Sequence, residues 1–179
     1  MVSSDGEIER LLSLLRANDP PVQRAVKLNL VNELRTKDPV AVMAALSQRI
    51  KDTDSEYRCE IAWVFLVFDF TAALEHVRPI LLGDADVGVR GYICEILGAS
   101  GRPEAVPLLV DALRQDLDGT NRLVAAFGLG KIGDPAALPA LKAAMQNDEG
   151  VDYEGRPVKE TAARSIRKIT HEKAAASVA

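Results

Sequence analysis

Apolar residues along this chain recur at steps of three and four, the spacing that gathers side chains on one face of an α-helix. Val89, Ile93, Ile96 and Leu97 make one such face. Val106, Leu109 and Leu113 make another, and Leu138, Leu141 and Met145 repeat it. Residues that start and stop helices stand between these faces. Asp86 suits an N-cap, because its carboxylate can accept from the unpaired amides of a first turn. Gly98 and Gly101 are expected to end that helix, and Pro103 to open the next, where a missing N–H costs nothing. The pattern predicts a capping helix at about 7–17 and helix pairs at about 21–35 with 39–50, 55–68 with 71–82, 87–98 with 103–115, and 120–131 with 135–146. A last helix is expected at about 157–172, with a frayed tail at 173–179. No strand is predicted.

The helix pairs repeat. Asp86–Leu113 aligns without a gap on Asp118–Met145 at an offset of 32, setting Asp86 on Asp118, Arg90 on Arg122, Gly98 on Gly130, Pro103 on Pro135 and Pro107 on Pro139. Tyr57 and Arg58 fall 32 residues before Val89 and Arg90, although that earlier unit lacks the glycines and the first proline. Val22 lies 35 residues before Tyr57, and Val158 lies 37 residues after Asn121, which puts about five inserted residues ahead of the last helix. A single hairpin of this kind cannot bury its own apolar face, so neighbours must stack. The expected organisation is one repeat domain over 1–179, with units at about 20–50, 55–82, 86–115 and 118–146.

The stretches VRGYICEILGASGRPEAVPLLVDAL (Val89–Leu113) and NRLVAAFGLGKIGDPAALPALKAAM (Asn121–Met145) resemble the HEAT repeat, particularly the short bacterial variety also found in phycobilin lyases. The likeness runs from about Pro20 to Ile169. It implies an all-α fold, a right-handed α-solenoid of about five stacked antiparallel helix hairpins. First helices would line the convex side and second helices the concave side. It also implies that Arg122 and Asp134 are ladder residues bonding to neighbouring units.

Composition narrows the class. Aromatic residues are only 4%, so a core must come from Leu, Ala, Val and Ile, which suits helices at close range. A net charge of −4 argues against a general affinity for phosphate backbones. The opening MVSSDGEIERLL is acidic where an export signal would be basic, and the longest apolar stretch, Ile61 to Phe68, is about half of a membrane span. A cytoplasmic protein is expected. Cys59 and Cys94 lack metal-ligand or CxxC spacing and are read as two half-buried thiols.

No catalytic constellation is apparent, and no cofactor or metal is expected. His76 and His171 have no ligand-spaced neighbours, and GLGKIG lacks the GK[ST] of a phosphate loop, so it is read as a helix C-cap. The inserted loop carries Asp148, Glu149, Asp152, Tyr153 and Glu154; without EF-hand spacing it is read as a solvated acidic rim, or as a recognition loop. IAWVFLVFDF, Ile61 to Phe70, holds the one Trp and three of the four Phe, and is read as a buried mid-stack helix or as an exposed docking strip.

Projection at 100° per residue leaves Glu104, Pro107, Asp111 and Arg114 outward on one second helix, Glu75 and Pro79 on the previous one, and Pro139, Ala143 and Gln146 on the next, with Arg78 and Lys142 at the flank. Glu75, Arg78, Glu104, Asp111, Arg114, Lys142 and Gln146 are therefore the candidate concave-face binding residues. Mixed charge and small side chains suit a protein or peptide better than a nucleic acid. The expected function is a non-enzymatic interaction module, an adaptor, assembly factor or inhibitor, acting as a monomer or weak homodimer. Chromophore handling of the phycobilin-lyase type and a DNA-binding enzyme like the alkylpurine glycosylases are the alternatives.

Overall fold

The computed structural model describes residues 4–16 and 20–176, with side-chain surroundings for 5–16 and 27–171. Position 17 of the capping helix and positions 177–179 of the tail lie outside the described residues. The fold is all-α. Its helices are α1 (Ser4–Ser13), α2 (Pro20–Leu34), α3 (Pro39–Arg49), α4 (Ser55–Phe68), α5 (Phe70–Gly83), α6 (Val87–Ser100), α7 (Val106–Gln115), α8 (Gly119–Ile132), α9 (Leu138–Asn147) and α10 (Val158–Ala176). Short 3-10 turns cover Leu14–Arg16, Pro103–Ala105 and Pro135–Ala137. Among the described residues the one β feature is an isolated antiparallel bridge between Val151 and Pro157.

Packing groups the chain into two compact units, one ending at Val77 and the other beginning at Arg78, a division that falls inside α5.

In the first unit α2 and α3 both pack on α1 and α4. Ile61, Ala62, Val64, Phe65 and Leu66 of α4 are buried, whereas Trp63, Val67 and Phe68 are half-buried, so this helix is core and not an exposed strip. Phe65 stacks on His76 with ring centroids 5.0 Å apart, and His76 Nδ1 lies 3.2 Å from the Ser47 hydroxyl, which gives that histidine a packing role. The Tyr57 hydroxyl donates to the Leu12 carbonyl at 3.2 Å, and the Arg16 guanidinium lies 4.0 Å from the Tyr57 ring centroid.

In the second unit α6, α8 and α10 pack side by side as one layer, and α7 and α9 cover it as another. Asp86 caps α6 by accepting from the Gly88 amide, and Asp118 caps α8 by accepting from the Thr120 and Asn121 amides. Both helices end on a glycine in the left-handed region, Gly101 (φ 66°) and Gly133 (φ 79°), where a side chain would be strained. Gly98 does not end its helix. It lies mid-contact: a Cβ there would stand 2.6 Å from the Cα of Gly128, so this glycine lets α6 and α8 meet backbone to backbone.

Ile93, Leu97, Leu109, Leu129 and Leu141 are fully buried between the layers, each worth roughly 1.5–3 kcal/mol of transfer free energy. Ile96 and Leu138 are only half-buried, and Met145 is exposed. Cys94 is wholly buried and not half-buried, and desolvation pushes its thiol pKa up to about 12.

Candidate functional site

A repeated ionic joint organises the second unit. Arg90 of α6 reaches Asp116, at the end of α7, through two parallel bonds, Nε to Oδ2 at 2.9 Å and Nη2 to Oδ1 at 3.0 Å. Its remaining nitrogen, Nη1, donates to the Asp84 carbonyl at 2.7 Å. One repeat later Arg122 of α8 grips Asp148 through Nε at 2.8 Å and Nη2 at 2.9 Å, while Nη1 donates to the Asp116 carbonyl at 2.9 Å. The same carboxylates then accept from the chain two residues on, Asp116 from the Asp118 amide and Asp148 from the Gly150 amide. Each joint thus ties a first helix to the exit of its own hairpin and to the entry of the next, in the bidentate geometry that favours Arg over Lys.

The electrostatics follow this geometry. Burial works to raise the Asp116 pKa, but bonds from Arg90, the Asp118 amide and Asn121 outweigh it and hold the carboxyl below its ordinary range. Asp148 is held low chiefly by the Arg122 hydrogen bonds, against some desolvation. Arg90 and Arg122 are raised, each first by its carboxylate partner. These groups are committed to structure.

The assignment of Asp134 to this ladder is therefore corrected. Its carboxylate accepts from the Ala136 amide at 2.8 Å and caps the Pro135–Ala137 turn, while the acid that meets Arg122 is Asp148. The signal was present in the sequence as Asp52, Asp84, Asp116 and Asp148, spaced by 32 residues; in all four the carboxylate accepts from the amide two positions later.

The inserted loop is likewise built and not merely solvated. Asp152 is buried and accepts from the amides of Glu154 and Arg156 at 3.0 and 2.8 Å and from Arg156 Nε at 2.6 Å. With the Val151–Pro157 bridge, this folds the loop into a small hairpin. Of the five loop candidates, Asp148 and Asp152 are internal, whereas Glu149, Tyr153 and Glu154 are exposed, Tyr153 at 81%.

Glu75 belongs to the first unit, and Arg78, Glu104, Asp111, Arg114, Lys142 and Gln146 to the second. Glu104, Arg114, Lys142 and Gln146 are exposed. Glu104 pairs with Arg102 at 3.1 Å. Asp111 is half-buried and engaged by Arg78, so these two form a structural pair between α5 and α7. Between the ends of α7 and α9 lies a groove of about 520 Å³ lined by Leu113, Arg114, Ala140, Ala143, Ala144 and Asn147 and by the joint residues Asp116, Arg122 and Asp148.

Residues 74–153 match the family of HEAT repeats. This stretch is built of HEAT repeats, and the all-helical fold around it supports a HEAT-repeat protein. The matched stretch is shorter than the Pro20–Ile169 span traced from the corner residues, and it takes in the two units in which glycines and prolines are complete. No curated protein matches the chain. HEAT repeats generally serve as non-enzymatic scaffolds for protein partners. Among the described residues, no cluster of three or more His, Cys, Asp or Glu is arranged to hold a metal ion, and no helix is long and apolar enough to cross a membrane.

Sequence reasoning passed over Phe127, which stands 62% exposed on α8. The alignment could have flagged it, since the position one repeat earlier is Glu95, also exposed.

Proposed function

We propose that this HEAT-repeat protein is a non-enzymatic, cytoplasmic interaction module that receives a protein or peptide partner on its second-helix face, with the α7/α9 groove as the seat. The observation that carries this is the groove itself. Its α9 wall is made of the small side chains Ala140, Ala143 and Ala144, which let a partner's side chains approach the helix, its floor includes the Arg122–Asp148 joint, and its lining offers Arg114 and Asn147 for hydrogen bonds. A face built on packed helices loses little conformational entropy when it binds. Adaptor, assembly factor and inhibitor are all roles that such a face can serve.

Asp111 is a poor place to probe this face, because replacing it also breaks the pair with Arg78. Arg114 and Ala143 are exposed and carry no such bond among the described residues. A photo-crosslinking residue at Ala143 is expected to trap a partner in cells, and the same residue at Glu95, on α6, is expected not to. Adding Arg114→Glu should weaken the Ala143 crosslink at unchanged melting temperature. Equal trapping from both positions would rule out the second-helix face as the seat.

A further inference from the structure

The first-helix layer carries a second groove, of about 620 Å³, between α8 and α10. Leu123, Phe127 and Lys131 line it from α8 at four-residue steps, and Thr161, Arg164 and Lys168 face them from α10. The floor is tight. A Cβ on Gly130 would stand 2.3 Å from the Ser165 Oγ, and that hydroxyl donates to the Ala126 carbonyl at 2.8 Å. The two helices therefore touch at Gly130 and Ser165 and leave the groove open above them.

Two properties of the lining select its occupant. Phe127 is more than half exposed, a large apolar ring left to water in the middle of the groove. Every charged residue in the lining is a cation: Lys131, Arg156, Arg164 and Lys168. Arg156 is already answered by Asp152 and Glu154. Arg164 donates to the neutral Thr161 hydroxyl at 3.0 Å, and neither it nor Lys131 makes a salt bridge among the described residues. A cationic rim on a chain of net charge −4 is a local reversal of sign, and it favours a partner of negative charge.

We infer that the α8/α10 groove docks an acidic peptide segment carrying a bulky apolar side chain, the apolar group seated on Phe127 and Leu123 and the carboxylates meeting Lys131 and Arg164. Leu123 and Phe127 favour a peptide over a nucleic acid, whose phosphates need a longer basic track than this groove presents. The surface is separate from the α7/α9 seat, on the opposite layer, so the two can be tested apart.

The test uses the full chain and a fluorescein-labelled dodecapeptide of Asp and Glu flanking a central Phe-Leu pair, read by anisotropy. Saturable binding is expected in the micromolar range, weakening as salt rises. Phe127→Ser, and separately Lys131→Glu with Arg164→Glu, should each weaken it about tenfold or more with the helical spectrum unchanged, while Ala143→Glu leaves it as it was. A peptide with Lys in place of every acid should not bind, and one with Ala in place of Phe-Leu should bind at least about tenfold more weakly. The inference is overturned if the acidic peptide shows no saturation below about 1 mM, if the Phe127 and Lys131/Arg164 variants bind as wild type, or if dodecathymidylate binds more tightly than the peptide.

Discussion

Two corners in this molecule turn the chain through the same hairpin by different chemistry. After α8 the turn needs Gly133 in the left-handed region, whose amide donates to the Leu129 carbonyl at 3.1 Å, then Asp134 and Pro135 to start a 3-10 turn that leads into α9. Between α4 and α5 a single residue does all of this. Asp69, extended at φ −144°, donates its amide to the Phe65 carbonyl at 3.1 Å, accepts from the Ala73 amide at 2.9 Å on its own carbonyl, and caps the Ala72 amide at 3.1 Å with its side chain. The glycine-and-proline corner is thus one solution and not a requirement of the hairpin. What both corners conserve is the pairing of helix-end backbone groups.

Core burial should matter more than either corner. Leu129, one residue beyond the Gly128 contact, is fully buried, so Leu129→Asp adds a desolvated charge to a lost apolar contact and is expected to cost several kcal/mol, roughly 4 or more. In a circular dichroism melt this should appear as a fall in midpoint of about ten degrees or more. A melt that overlaid wild type would mean that the two-layer core of the second unit is wrong.

The corners themselves differ more subtly. Gly133→Ala should lose roughly 1–2 kcal/mol, because it forces a side chain into the left-handed region. Asp69→Ala should lose about 1 kcal/mol with the cap, and Asp69→Gly only a few tenths. Urea midpoints for the three variants would rank them, and a neutral Gly133→Ala would erase the distinction between the corners.

The smallest effect is one that depends on pH. Asp116 and Asp148 have folded-state pKa values below their ordinary range, so their contribution is present above the unfolded value of about 3.9 and is lost as pH falls through the folded one. Asp148→Asn should therefore melt below wild type by a constant interval from neutral pH down to about pH 5, and the interval should narrow below about pH 4. An interval that widened in acid would contradict the ladder's charge state.

Much of the second unit was legible because its punctuation is local: Asp86, Asp118, Gly101, Gly133 and the prolines act within a turn of themselves, and sequence spacing reports that distance directly. The ladder was less so. Arg122 and Asp148 are 26 residues apart, and their bond depends on how a whole hairpin closes, so spacing did not point to it and the resemblance put Asp134 on the ladder instead. Gly98 shows the same difficulty from the other side. As a glycine near a helix end it reads as a terminator, and only the approach of Gly128 from the next repeat reveals its use. Of the two grooves, the one between α7 and α9 was in part visible in the sequence, through the outward positions Arg114 and Ala143. The α8/α10 groove was not, because Phe127 satisfies helical periodicity whether it faces the core or water.

The Arg-to-Asp joint also makes the length of this protein editable. Each joint draws on residues at fixed places in a 32-residue period, with Asp84 and Asp116 in equivalent positions below Arg90 and Arg122. Removal of residues 87–118 would join Asp86 to Gly119 and bring Arg122 over the Asp84 carbonyl, in the place Arg90 now holds, with Asp148 still its partner. Duplication of the same segment would add a hairpin by the same rule. Because the coupling chemistry is the same at the Arg90 and Arg122 seams, a gene encoding such a chain can gain or lose this hairpin in single recombination events without leaving a buried charge unmatched.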